Sequence, residues 1–111
     1  NYKFRCADDA GGSVVVGFEN HSGKTYLGAG AKPLGQVLAG FGNNGEDGTE
    51  GVRHKNLFGC YCHGPMLPKN PAFCDMLLQT ALERRYGAVT LDPLDDRAEL
   101  AAHDEMCTKL G

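Results

Sequence analysis

No apolar run in this sequence is long enough to cross a bilayer, and no charged-then-apolar leader opens it. No basic stripe is present either: 11 basic against 14 acidic side chains leave a net charge of −3, with a pI near 5.7. Nucleic acids and anionic membrane surfaces are therefore poorly matched partners. The five cysteines are odd in number and irregularly spaced, which argues against a secreted disulfide framework and for a reduced, cytoplasmic setting. An initiator methionine is also missing, and the abrupt opening suggests a piece of a longer protein.

Glycine, by contrast, is plentiful. Sixteen in 111 residues is about twice the globular norm, and almost all precede Pro65. The first half is expected to be turn-rich β structure and the second half helical. A chain of 111 residues is at most one domain. Within it, residues 13–62 read as β-rich and 70–110 as helical.

Ser13–Phe18 (SVVVGF) is the clearest strand of the first half. Turn residues at Asn20–Gly23 and an extended pattern at Lys24–Leu27 suggest that it enters a β-hairpin. His21, in the turn, reads as a solvated loop histidine rather than a ligand. Gln36–Phe41 is a second strand candidate. The glycine-rich run Gly42–Gly51 lacks the Gly-Lys-Ser/Thr ending of a phosphate loop, carries Glu46, Asp47 and Glu50, and does not space its acids as an EF-hand does. It reads as a long hairpin connection with Asn-Gly at its tip.

Leu57–Cys62 (LFGCYC) reads as a strand covered on both faces. Gly64-Pro65 turns the chain out of the sheet immediately afterwards, leaving His63 at a strand end. Asn70-Pro71 is a helix-start signal, with Asn as N-cap and Pro at the first helical position. Phe73, Leu77, Leu78, Ala81 and Leu82 give the helix an apolar face, Arg84 and Arg85 suit its C-terminus, and Gly87 stops it. Asp92-Pro93 repeats the start signal for a last helix, with Leu94, Ala98, Ala101, Ala102 and Met106 facing inward.

Cys60, Cys62 and His63 invite a metal reading. The C-x-C spacing departs from zinc pairs, and the remaining candidates, Cys74, His103 and Cys107, lie on helices. A local cysteine nucleophile is no better placed. Cys62 and His63 diverge as strand neighbours, Cys74 and Cys107 fall within helices, and Cys6 lies near the start. If His63 serves a nucleophile, that nucleophile is not in this chain.

Val16–Thr25 (VGFENHSGKT), Gly40–Gly51 (GFGNNGEDGTEG), Tyr61–Pro71 (YCHGPMLPKNP) and Pro93–Asp96 (PLDD) resemble, in this order, motifs of the CobB/CobQ-like class I glutamine amidotransferases. Within that family they are most similar to the glutaminase subunits of lipid II isoglutaminyl synthases. The resemblance implies a three-layer, flavodoxin-like α/β domain of which this chain is the C-terminal half. It places the catalytic cysteine and the oxyanion hole outside these residues and puts the catalytic histidine at His63. Glutamine would be the substrate. A Mur-ligase-like subunit that consumes ATP would be the partner, and the chain itself would need no cofactor or metal. Alone, it is expected to hydrolyse no glutamine. Many class I relatives have Glu two residues after the histidine. Here that position is Pro65, as in the CobB/CobQ-like group, so a third triad member would come from elsewhere. The alternatives are an amidotransferase domain of cobyric or cobyrinic acid synthesis, a zinc-binding module, or a non-catalytic binding module. A half-domain would also leave an open sheet edge through which copies could associate.

Overall fold

A computed structural model describes residues 1–110. The chain is a mixed α/β domain built on a five-stranded sheet. Its strands are β1 (Tyr2–Cys6), β2 (Val14–Glu19), β3 (Gly35–Ala39), β4 (Thr49–Glu50) and, near the middle of the chain, β7 (Cys62–His63). The order across the sheet is β4-β3-β1-β2-β7, with every neighbouring pair antiparallel. A separate two-stranded ribbon pairs β5 (Val52–His54) with β6 (Leu57–Gly59). Three helices follow: α1 (Met66–Lys69), α2 (Pro71–Tyr86) and α3 (Arg97–Lys109). Among the described residues no helix is long and apolar enough to cross a membrane.

The central strand β1 was not expected. Its signal is a strict alternation, with Tyr2, Phe4 and Cys6 buried between the more exposed Lys3 and Arg5. Because alternate residues share a face, Tyr2, Phe4, Cys6 and Val15 line one side of the sheet. There they pack with Leu34, Phe73, Phe58, Met66, Met76 and Leu77. The inner stripe of α2 is thus Phe73, Met76 and Leu77, at helical spacing. Leu78, expected on that stripe, is half exposed.

Four further expectations are corrected. Lys24–Leu27 is not a strand, so β2 does not form a hairpin with it; the flanks of β2 are taken by β1 and β7. The strand expected at 57–62 is two pieces in two sheets, broken at Cys60-Tyr61, where the Tyr61 N–H points to the Glu50 carboxylate at 3.4 Å instead of a strand. It is not covered on both faces, since Leu57, Cys60 and His63 are exposed. The last helix starts at Arg97 rather than after Asp92-Pro93, leaving Leu94 outside it and solvent-exposed. Its sheltered side carries His103, Met106 and Cys107, while Ala98, Ala101 and Ala102 face outward. Finally, Asn70 precedes α2 as expected, but its side chain makes no capping hydrogen bond.

Asn70 is spent on β2 instead. Beyond the two residues paired with β7, the edge of β2 has no strand beside it. The fully buried Asn70 amide takes that place. Its Oδ1 accepts from the Val16 N–H at 2.7 Å, and its Nδ2 donates to the Val16 carbonyl and to the Met66 carbonyl, each at 2.8 Å. The turn that follows His63 is thereby pinned to the strand that pairs with His63. Gly87 closes α2 as expected, its N–H returning to the Glu83 carbonyl.

Candidate active site

His63 is held by a register in which it faces Phe18 and Cys62 faces Glu19. Paired residues share a face, so the His63 ring lies over the Phe18 ring, stacked at 5.4 Å between centroids. Gly17 makes the approach possible. A Cβ there would lie 2.5 Å from both the Cys62 Sγ and the His63 carbonyl oxygen. After His63 the chain leaves the sheet through Gly64 at φ 124°, a backbone region other residues rarely adopt. The imidazole is exposed, and among the described residues its nitrogens make no hydrogen bond.

The other face of the same strand pair is fully engaged. The Glu19 carboxylate accepts from the Phe41 N–H at 2.8 Å, the Gly42 N–H at 3.0 Å and His21 Nε2 at 3.1 Å. Partial burial works against its charge. The hydrogen bonds from Phe41, His21 and Gly42 outweigh that and hold its carboxyl below the usual range. His21 is not the solvated loop histidine expected. Its Nδ1 lies 2.9 Å from the Gly23 carbonyl and its ring stacks on Tyr61 at 4.0 Å. Both of its nitrogens thus face oxygens that can only accept, which favours the doubly protonated, charged ring. The Gly23 carbonyl and then Glu19 accordingly raise its pKa, against some loss of hydration.

Glu19 therefore ties the loop after β3 to the loop after β2, and it is a residue the sequence reading passed over. The available signal was its place in β2, one step from Phe18 and so on the opposite face. Nearby, Asn43 and Asn44 are buried and organise the 40–48 connection. Asn43 bonds the Gly51 backbone on both sides, and Asn44 Oδ1 accepts from the Glu46 and Asp47 N–H groups. A hairpin does follow β3, but its return strand is Thr49–Glu50, inside the run expected to be turn, and not the stretch at 57–62. Glu50 is completely buried beside the Tyr2 phenol, and burial pushes its carboxyl pKa up.

None of the chain's cysteines stands ready beside His63. Cys62 is on the opposite face, and burial drives its thiol up to about 12. Cys60 is an exposed residue, yet its sulfur loses hydration to the atoms around it and its thiol is pushed up as well, and Cys6 reaches about 11 within the core. Among the described residues no carboxylate holds the His63 ring either, because Glu19 points away and is saturated. Among the described residues no three His, Cys, Asp or Glu side chains converge on a point suited to a metal ion. The face that carries His63 offers an aromatic support and an open imidazole capable of accepting or delivering a proton.

The CobB/CobQ-like glutamine amidotransferase domain matches residues 2–71, a stretch that includes Glu19, His21 and His63. The chain belongs to this family. It is 49% identical over 89 residues to the subunit GatD of the glutamine-hydrolysing lipid II isoglutaminyl synthase of Staphylococcus aureus (strain N315), a match covering 80% of this chain and 36% of that protein. The corresponding GatD subunit of Streptococcus pneumoniae (strain ATCC BAA-255 / R6) is 54% identical over 74 residues, covering 67% of this chain and 28% of that protein. A probable cobyric acid synthase of Methanothermobacter thermautotrophicus is more distant, 39% identical over 85 residues, 77% of this chain and 16% of that protein. The chain thus spans about a third of the length of the two GatD relatives.

Proposed function

We propose that this CobB/CobQ-like chain is the histidine-bearing part of a glutamine amidotransferase and that His63 is its acid/base residue. The match across residues 2–71 carries the reading, and the strand-end imidazole with uncommitted nitrogens is what the chemistry needs. In this reading a cysteine outside these 111 residues gives its proton to His63 and attacks the side-chain amide carbon of glutamine. His63 then returns the proton to the departing nitrogen, and ammonia leaves. Water, deprotonated by the same imidazole, cleaves the resulting thioester and releases glutamate. No carboxylate of the described residues orients the ring, so that role falls to a group outside them. The domain completed in this way would be the three-layer, flavodoxin-like arrangement of the resemblance, with the present antiparallel sheet as one part of it.

The identities of 49% and 54% to GatD subunits favour ammonia delivery to a Mur-ligase-like, ATP-consuming partner that amidates the D-glutamate of lipid II. The weaker cobyric acid synthase match makes cobyric or cobyrinic acid amidation the second reading. Association of two copies through a sheet edge would find only two residues each in β4 and β7, and the part of β2 beyond β7 is blocked at Val16 by Asn70.

The test joins this chain to the remainder of the S. aureus GatD relative in place of its matching segment and measures glutamate released from glutamine. His63→Ala is expected to lower the rate by roughly 100-fold or more, and the 111-residue chain alone should release none. Activity unchanged by His63→Ala would remove the assignment. Co-expression with a Mur-ligase-like subunit, followed by an amidation assay on a D-glutamate-containing precursor, separates the two acceptor readings.

A further inference from the structure

On α3, one turn apart and on one face, lie His103 and Cys107. His103 Nδ1 is 2.9 Å from the Lys69 carbonyl oxygen and 3.1 Å from Asn70 Oδ1. The orientation of the Asn70 amide is not arbitrary, because Oδ1 accepts from the Val16 N–H while Nδ2 donates to two carbonyls. Both atoms facing Nδ1 are therefore acceptors, and Nδ1 must carry the ring proton. That leaves Nε2 of the neutral ring with a free lone pair, and the atom it faces is the Cys107 Sγ, at 3.6 Å. A thiol, a basic nitrogen and an amide that fixes the ring form the nucleophile, base and orienter of an activated cysteine.

The surroundings suit a thiolate. From β1, Lys3 brings its ammonium to the Cys107 carbonyl at 3.3 Å. From β2, the apolar Val14 lines the same cavity as His103. Cys107 is half-buried, sheltered yet reachable by a small solute. Among the described residues the other cysteines have no such base. Cys62 Sγ lies against the Val16 and His63 carbonyls and near the Tyr2 phenol, and Cys60 Sγ against the Met66 sulfur; loss of hydration disfavours the thiolates of Cys6, Cys60 and Cys62.

We propose that Cys107 is a reactive thiol and a site of oxidation by hydroperoxides, with His103 as its base and Asn70 and the Lys69 carbonyl as positioning groups. The thiol proton passes to His103 Nε2, and the thiolate attacks the terminal peroxide oxygen. A sulfur–oxygen bond forms as the oxygen–oxygen bond breaks. Sulfur loses two electrons to the peroxide, giving a sulfenic acid, and the departing alkoxide or hydroxide takes the proton back from His103. The site is independent of the glutaminase reading, and its test needs no glutaminase activity.

The experiment exposes the 111-residue chain to hydrogen peroxide, traps sulfenic acid with dimedone and locates it by peptide mass spectrometry. Cys107 is expected to be labelled at least roughly tenfold faster than the exposed Cys60, and His103→Gln to cut the Cys107 rate by at least roughly tenfold. Equal labelling of Cys60 and Cys107, or an unchanged rate in His103→Gln, overturns the proposal. Because His103→Gln also loosens the contact between α3 and Lys69, the comparison of Cys107 with Cys60 on the unmutated chain stands beside it as an independent measurement.

Discussion

His63 lies in the β2–β7 pair and His21 in the loop just after β2, and each stacks on an aromatic ring, Phe18 in one case and Tyr61 in the other. Their nitrogens are used in opposite ways. Those of His21 are both taken, by the Gly23 carbonyl and the Glu19 carboxylate, which favours a charged ring that holds two loops together. Those of His63 make no hydrogen bond among the described residues and are open to solvent. A histidine with both nitrogens committed cannot shuttle a proton without dismantling its surroundings. One supported only through its ring face can. The contrast between a holding histidine and an available one can be broken by mutation at each end.

The largest effect is expected on the holding side. Glu19→Ala strands the Phe41 and Gly42 N–H groups and removes the counter-ion of His21, and should cost about 3 kcal/mol of unfolding free energy in urea titration. A loss below about 0.5 kcal/mol would mean that the loops do not depend on this carboxylate.

A smaller effect, roughly 1 kcal/mol, is expected for His21→Gln, and its signature is in the pH dependence. Because the pKa of His21 is raised from 6.5, its contribution is complete below that value and fades as the pH climbs through the higher folded value. Because the pKa of Glu19 is lowered from 4.5, its contribution is complete above that value and fades as the pH falls through the lower folded value. The pair therefore stabilises most between these limits. The variant should lose the decline above pH 6.5, as read from urea midpoints across a pH series.

The smallest stability effect belongs to His63. His63→Ala removes an exposed ring that makes no hydrogen bond and should move the unfolding free energy by less than about 0.5 kcal/mol. Under the proposed function, the same substitution should be the most damaging to glutamine hydrolysis in the hybrid with the S. aureus relative. A large loss of stability would make His63 a second holding residue and erase the distinction.

Where local chemistry decides the outcome, the sequence could be read. Three β-branched residues mark β2, Asn70-Pro71 and Gly87 bound α2, and Gly64-Pro65 ends β7. The family resemblance and the position of His63 came from the same local strings. What could not be read depends on tertiary competition. Asn70 has the right chemistry for a cap, but the bare edge of β2 claims its amide. Tyr61 has the right chemistry to continue a strand, but the buried Glu50 takes its N–H. β1 alternates over only five residues at the start of the chain, too short a pattern to stand out from an irregular lead-in. His21 could not be distinguished from a solvated residue, since its partners Glu19 and Gly23 acquire meaning only once β2 ends between them. Likewise, helical spacing shows that His103 and Cys107 are neighbours but not which ring nitrogen faces the sulfur.

An exposed strand edge is a template on which any passing extended segment can add itself, and sheets commonly guard it with lysines, prolines or bulges. Here the guard is a single amide. By occupying both the donor and the acceptor of Val16, Asn70 leaves an intruding chain nothing to pair with at that point of β2. It also exposes no apolar surface of its own, being fully buried. The residue that stands in for a missing strand thereby also protects the β2 edge against misassembly.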